Sequence, residues 1–209
     1  MSDDEPLSTR ARLRTAALDT VHHEGIVGTS ARAIARRADA NQALIFYHFG
    51  TVDQLLAEAS RSLSQQRARA YRERLAAVTT MRQLATAARE LHHEERASGT
   101  VATLAQLIAG ARTFPLLAQA LRENLDLLTE PVADTLGRLV GDTPLEAVVP
   151  ADELARSVAA GFVGLELVDD LHEHHDPELF SALDGLATLA DALRDAGALE
   201  ASWLRRRLR

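Results

Sequence analysis

The chain is 209 residues long and carries a formal net charge of −7, with 46% hydrophobic and 25% charged residues. That balance is ordinary for a folded globular protein and too apolar for a chain that stays disordered. Cysteine is absent, which excludes disulfides, thiolate nucleophiles and cysteine-ligated zinc. No apolar run approaches the roughly 18 residues of a transmembrane helix. The first residues, Met1-Ser2-Asp3-Asp4-Glu5, are acidic where a secretory leader is basic. A cytoplasmic protein is therefore expected.

Aromatic residues make up only 4% of the chain, whereas alanine and leucine fill roughly a third of it. Both are strong helix formers. All 23 basic residues are arginine. Their distribution is uneven. Residues 8–50 hold six arginines (Arg10, Arg12, Arg14, Arg32, Arg36, Arg37) against three acids (Asp19, Glu24, Asp39), whereas residues 51–209 hold 17 arginines against 24 acids. A positive segment on an acidic body points to a polyanion-binding head.

The helical pattern begins with a helix over 9–24, where Leu13, Ala17 and Val21 repeat at i, i+4, i+8 and Gly25 is the stop. Ser30 is a suitable N-cap for a short helix over 31–38 with Ile34 and Ala38 inward. Asn41 caps a third short helix over 42–48, with Ile45 and Phe49 turned inward and Gly50 at its end. Thr51-Val52-Asp53-Gln54 has the form of a capping box, opening a long helix that runs to about Val78. Two short helices joined by a tight turn, after a longer one, make a helix-turn-helix arrangement. The second of them presents Asn41, Gln42 and Ala43. Asn and Gln can pair bidentately with adenine, and Ala can touch a thymine methyl.

The rest of the chain is also helical. Helices are expected over 81–97, 101–112 and 115–140, the last kinked or split at Pro131. A loop containing Gly141, Pro144 and Pro150 follows. Two further helices span 152–172 and 177–196, the second opened by Asp176-Pro177. No strand pattern of period two is convincing. The fold class is all-α, divided into an N-terminal helix-turn-helix domain over 1–50 and a larger helical domain over 51–209.

Other features are weaker. His172-Glu173-His174-His175-Asp176 has metal-ligand character but lies at a helix end, where histidines cap the last carbonyls. No metal or cofactor is expected. His92-His93 lie mid-helix, so one of them faces inward. Arg10, Arg12 and Arg14 are either a flexible arm reaching the DNA backbone or without role. The tail Trp203-Leu204-Arg205-Arg206-Arg207-Leu208-Arg209 reads best as a frayed terminus.

The segment 9–59 resembles the N-terminal DNA-binding domain of the tetracycline-repressor family of transcriptional regulators. The residues that carry the resemblance are Ala16-Ala17-Leu18, Gly25, Thr29-Ser30-Ala31-Arg32-Ala33-Ile34-Ala35, and above all Leu44-Ile45-Phe46-Tyr47-His48-Phe49-Gly50 with Asp53-Gln54-Leu55-Leu56. It covers about a quarter of the chain; the remainder resembles the family only in plan. Three positions depart from the family pattern: Asp39 where glycine is usual, Val52 where lysine is frequent, and Phe46 where tyrosine is frequent.

The resemblance implies a ligand-responsive regulator, a repressor rather than an enzyme, that binds a pseudo-palindromic operator as a homodimer. Tyr47, His48, Thr29, Ser30 and Thr51 correspond to backbone-contact positions, and Asn41, Gln42, Ala43 and Phe46 to base-edge positions. Arg32 is expected to face phosphates. An effector pocket is implied by resemblance alone, with His92, Gln106, Arg112, Phe114, Asn124, Phe162 and Glu166 as lining candidates. The final two long helices carry the broadest apolar faces and are assigned the dimer interface, through Leu154, Val158, Phe162, Leu165, Leu179, Leu183, Leu186, Ala190 and Leu193. Two other readings stay open: an all-helical metal-dependent enzyme, and a helical interaction module that no longer binds DNA, with Asp39 and Val52 as symptoms.

Overall fold

A computed structural model describes residues 8–141 and 150–169 and, further on, residues 184, 185, 187, 188 and 190–192. Every regular element among the described residues is a helix. They run α1 (Thr9–Gly28), α2 (Ala31–Arg37), α3 (Ala43–Phe49), α4 (Val52–Leu75), α5 (Met81–Ala97), α6 (Thr100–Gly110), α7 (Pro115–Val140) and α8 (Ala151–Asp169).

The helix starts follow from capping chemistry. Ser8, Ser30 and Thr80 each accept a hydrogen bond from a backbone N–H in the first turn they precede, on Ala11, Ala33 and Gln83 respectively. Asn41 Oδ1 accepts the Ala43 N–H at 2.8 Å, so α3 begins one residue later than the sequence pattern suggests. Thr51 Oγ1 accepts the Gln54 N–H at 3.0 Å, but the return half of the expected capping box is replaced: Gln54 Nε2 donates to Glu58 at 3.3 Å.

Three sequence expectations need correction. First, Gly25 is not a simple stop; its φ of 68° breaks the α1 spiral, after which one more helical turn runs to Gly28. Second, of the two outcomes expected at Pro131, the split does not occur: α7 continues through it as one helix. The missing amide deprives only the Leu127 carbonyl of its partner, and Thr135 Oγ1 donates to the Pro131 carbonyl at 2.9 Å. Third, α4 ends at Leu75, short of Val78, where Val78 N–H turns back to the Leu75 carbonyl at 3.2 Å.

The chain forms two compact units, Met1–Gln65 with Gly99–Leu125, and Gln66–Ser98 with Asp126–Arg209. The core of the first gathers Leu13, Ala17, Val21, Ile34, Ile45, Phe49, Leu55, Leu56, Leu107 and Leu117. The inward stripes anticipated in the first three helices thus share one core with α6 and the start of α7. In the second unit, Leu75, Val78, Ala87, Leu139 and Val140 form one cluster, and Leu136, Ala151 and Ala155 another. A buried leucine or isoleucine in such a cluster contributes about 2–5 kcal/mol relative to alanine.

Within the first unit α6 lies closely on α1. Gly99 and Gly110 bracket α6. A Cβ on Gly99 would meet the His22 ring, and one on Gly110 would meet Ile26 Cγ1 at 2.5 Å. Between them Gln106 Oε1 accepts the Ile26 N–H at 3.2 Å. That amide sits just past the break at Gly25 and would otherwise have no partner from the preceding turn.

Candidate DNA interface

The turn between α2 and α3 is built around Asp39, the only residue other than glycine with positive φ among those described (47°). Glycine is the easier residue there, and aspartate is among the few others that tolerate it. Ala40 N–H reaches back to the Ala35 carbonyl at 3.0 Å and closes the turn. Ile34 and Ile45, both fully buried, fix the two short helices on the core. At the far end Gly50 takes φ 75° and ends α3 with its N–H on the Phe46 carbonyl.

With Ile45 and Phe49 buried, helical geometry points the opposite face of α3 at solvent. Gln42, Ala43, Phe46 and Tyr47 are all exposed, Tyr47 at 81% and Phe46 at 48%. His48 is half-buried, packed edge-on between the Tyr47 and Phe49 rings. Asn41 is exposed, but its side-chain oxygen is occupied by the Ala43 amide.

On α2, Ser30 and Arg32 are exposed, and the Ser30 oxygen serves as the cap. Thr29 is buried, and its hydroxyl donates to the Gly25 carbonyl at 2.8 Å. Thr51 is exposed at the start of α4. Arg36 and Arg37 both reach Glu24 on α1, at 2.9 and 3.4 Å. Slight desolvation would raise the Glu24 pKa, but hydrogen bonds from the two guanidinium groups outweigh it and hold the carboxyl below its ordinary value.

Arg10 belongs to the scaffold. It makes two hydrogen bonds to the Glu58 carboxylate, at 2.7 and 2.8 Å, and lies over the Phe49 ring at 5.0 Å. From Thr9 onward this basic run is helix, so the flexible-arm reading does not extend to Arg10, Arg12 or Arg14.

The effector candidates fall as follows. In the first unit, Gln106 is exposed and tied to Ile26, Arg112 is exposed, Phe114 is half-buried against the core, and buried Asn124 donates to Ser60 Oγ at 3.2 Å. In the second unit, His92 is buried on α5. Phe162 and Glu166 belong to α8, but their side chains lie outside the described residues. Sequence reasoning missed a buried polar cluster in the second unit. Arg67 pairs with Glu95 at 2.7 Å, and the Tyr71 hydroxyl donates to Glu95 at 3.3 Å. Burial pushes the Glu95 carboxyl up despite Arg67, and burial likewise raises the Tyr71 phenol.

Of the dimer candidates, Leu154 and Val158 are half-buried and Ala190 is buried. Leu165 lies in α8 with its side chain outside the described residues, as do Leu179, Leu183, Leu186 and Leu193 altogether. The His172–Asp176 segment and the tail from Trp203 lie outside them too. No group of three metal-ligating side chains occurs among the described residues, and no helix there is long and apolar enough to cross a membrane.

A tight two-helix unit with an outward-facing second helix, on an arginine-bearing three-helix core, defines a helix-turn-helix DNA-binding protein. Residues 13–59 match the model of the tetR family of bacterial regulatory proteins. An HTH-type transcriptional regulator of Mycobacterium bovis is 27% identical over 133 residues, covering 64% of this chain and 68% of the relative. Among solved structures, a transcriptional regulator from Rhodococcus sp. Rha1 is 27% identical with a TM-score of 0.68, covering 88% of this chain and 96% of that one. The multidrug binding protein EbrR, complexed with imidazole, shares the fold at 23% identity and a TM-score of 0.63, covering 88% and 96%. Residues 13–59 thus form a helix-turn-helix domain of the type found in the tetR family of bacterial regulatory proteins.

Proposed function

We propose that this chain is a ligand-responsive transcriptional repressor of the tetR family that binds a pseudo-palindromic operator as a cytoplasmic homodimer. The observation that carries the DNA half of this reading is the outward face of α3: Gln42, Ala43, Phe46 and Tyr47 all stand exposed on a helix short enough for a major groove. That groove is about 12 Å wide. Gln42 is then the hydrogen-bonding base reader, Ala43 and Phe46 make apolar base contacts, and Asn41 offers its amide N–H groups while its oxygen caps α3. Arg32, Ser30, Tyr47, His48 and Thr51 hold the phosphates. Thr29 acts on the backbone path through its bond to Gly25.

Residues 1–50 are the reader in this proposal, and residues 51–209 carry effector binding and dimerisation. Pairing through the last two helices would set two readers about 34–36 Å apart, one turn of duplex. The effector half is supported by the fold likeness to EbrR, a protein bound to imidazole in its structure. Buried His92 and Glu95, with half-buried Tyr71 and Arg67, supply polar groups in the second unit that an effector could engage. An effector that binds one spacing of the two readers more tightly than the other shifts the population and lowers operator affinity. Electrophoretic shift of the intergenic DNA upstream of the coding gene tests the proposal. A discrete complex at nanomolar dimer, lost on Gln42→Ala, is expected. Absence of any sequence preference overturns it.

A further inference from the structure

We propose that α3 reads its half-site mainly through thymine methyl groups, with Gln42 as its one bidentate base contact. This rests on α3 being the major-groove reader.

The argument is by elimination on the exposed face. Within α3 the outward residues are Ala43, Phe46 and Tyr47; with Tyr47 on the phosphates, the two left to face the bases, Ala43 and Phe46, are apolar surfaces at i and i+3. A guanine is usually read by a bidentate arginine or lysine. The chain has no lysine, and α3 has no arginine. Cytosine is read by a carboxylate accepting from its amino group, and α3 carries none. Asn41 needs both its oxygen and its amide to grip adenine, and the oxygen already accepts the Ala43 N–H at 2.8 Å. Gln42 makes no capping bond and is exposed, so both ends of its amide are available.

The major-groove feature that matches an apolar surface is the C5 methyl of thymine. Phe46 is 48% exposed although it is large and apolar, and no core contact explains that exposure. The preceding helix of the same unit suits a polyanion better than an apolar protein partner: Arg32 stands exposed on α2, and Arg36 and Arg37 are held by one carboxylate that phosphates can replace. An adenine facing Gln42, next to thymines facing Ala43 and Phe46, is the half-site this face fits.

The test is a selection from random-sequence duplex libraries with the full-length protein, one library copied with thymidine triphosphate and one with deoxyuridine triphosphate. The thymine library is expected to yield a consensus with thymines beside an adenine in each half-site. Rebuilding a selected duplex with uracil at one such position should weaken binding about fourfold per methyl removed, the size of one buried methylene. With Phe46→Ala, thymine and uracil at the Phe46 position should bind alike, because the two losses are one contact. Phe46→Leu should keep the preference. Uracil substitution that leaves affinity unchanged at every position, or additive losses for methyl and ring, overturns the proposal. A consensus with G·C pairs at those positions does the same. A library that yields no enriched sequence at all instead overturns the DNA-reading assignment beneath it.

Discussion

The carboxylate of Asp53, in the first turn of α4, accepts the backbone N–H of Leu117 at 2.9 Å with one oxygen, and that of Leu116 at 3.0 Å with the other. Pro115 opens α7 and brings no N–H, so Asp53 satisfies the first two amides that the helix leaves free. Asp53→Ala should destabilise the protein by about 1–2 kcal/mol, the usual loss of a cap. Asp53→Asn keeps one acceptor oxygen and should lose less. Urea unfolding of the three proteins checks the order; an alanine variant as stable as the parent would contradict it.

Gly99 and His22 provide a second test. Gly99 has φ 68°, and its Cα lies where an added methyl would strike the His22 ring. Gly99→Ala should therefore lose about 1–2 kcal/mol from the backbone alone, and more from the clash. His22→Ala added to it should restore only the steric part. Thermal unfolding of the single and double variants separates the two. Full recovery in the double variant would mean that the backbone conformation is unstrained.

Gln42 and Tyr47 are expected to fail in different ways. Gln42→Ala should cost about 1–3 kcal/mol of discrimination at one base position. Tyr47→Phe should weaken binding to every sequence alike, with no change in salt dependence, since no charge is removed. Competition shifts with single-base operator variants read both effects.

Glu24 restrains Arg36 and Arg37, so its removal should release them toward phosphate. Glu24→Gln is expected to tighten binding to non-specific duplex. It should also steepen the plot of log affinity against log salt by about one to two units. Fluorescence anisotropy over a salt series measures this. An unchanged slope would place both arginines away from DNA.

Glu58 contributes to the pH dependence of stability. Its partial burial alone would raise its pKa, but Arg10 and Gln54 hold the carboxyl below its ordinary value. A depressed carboxylate stabilises the fold fully above its unfolded value, and loses that contribution as pH falls through the folded one. Stability should thus decline from about pH 5 downward, and Arg10→Ala should flatten that limb. Urea midpoints at neutral and acid pH give the comparison. An equally steep acid limb in Arg10→Ala would assign it to other carboxylates.

What the sequence made legible was local. Ser30, Asn41 and Thr51 announce helix starts because a cap acts over two or three residues, and the Leu13-Ala17-Val21 stripe announces a buried face because helical period is local too. The start of α7 followed from Pro115 in the same way. Contacts between distant segments were not legible. Nothing near Gln106 indicates that its oxygen caps an amide 80 positions earlier. In the sequence Arg10 is either an arm or without role, because Glu58 and Phe49, which hold it, lie in other helices. Glu95 left a trace that could have been used. It lies three residues after buried His92, on the same face of α5, and a carboxylate at such a position needs a partner such as Arg67. Of the DNA face, the exposed positions were legible and the loss of the Asn41 oxygen to capping was not.

The two glycine notches of α6, filled by His22 and Ile26 and pinned between them by Gln106, have a mechanical meaning. A helix keyed to its neighbour at both ends and clamped at the middle cannot slide or roll against it on its own. Whatever displaces α6 must carry α1 with it, as a single lever.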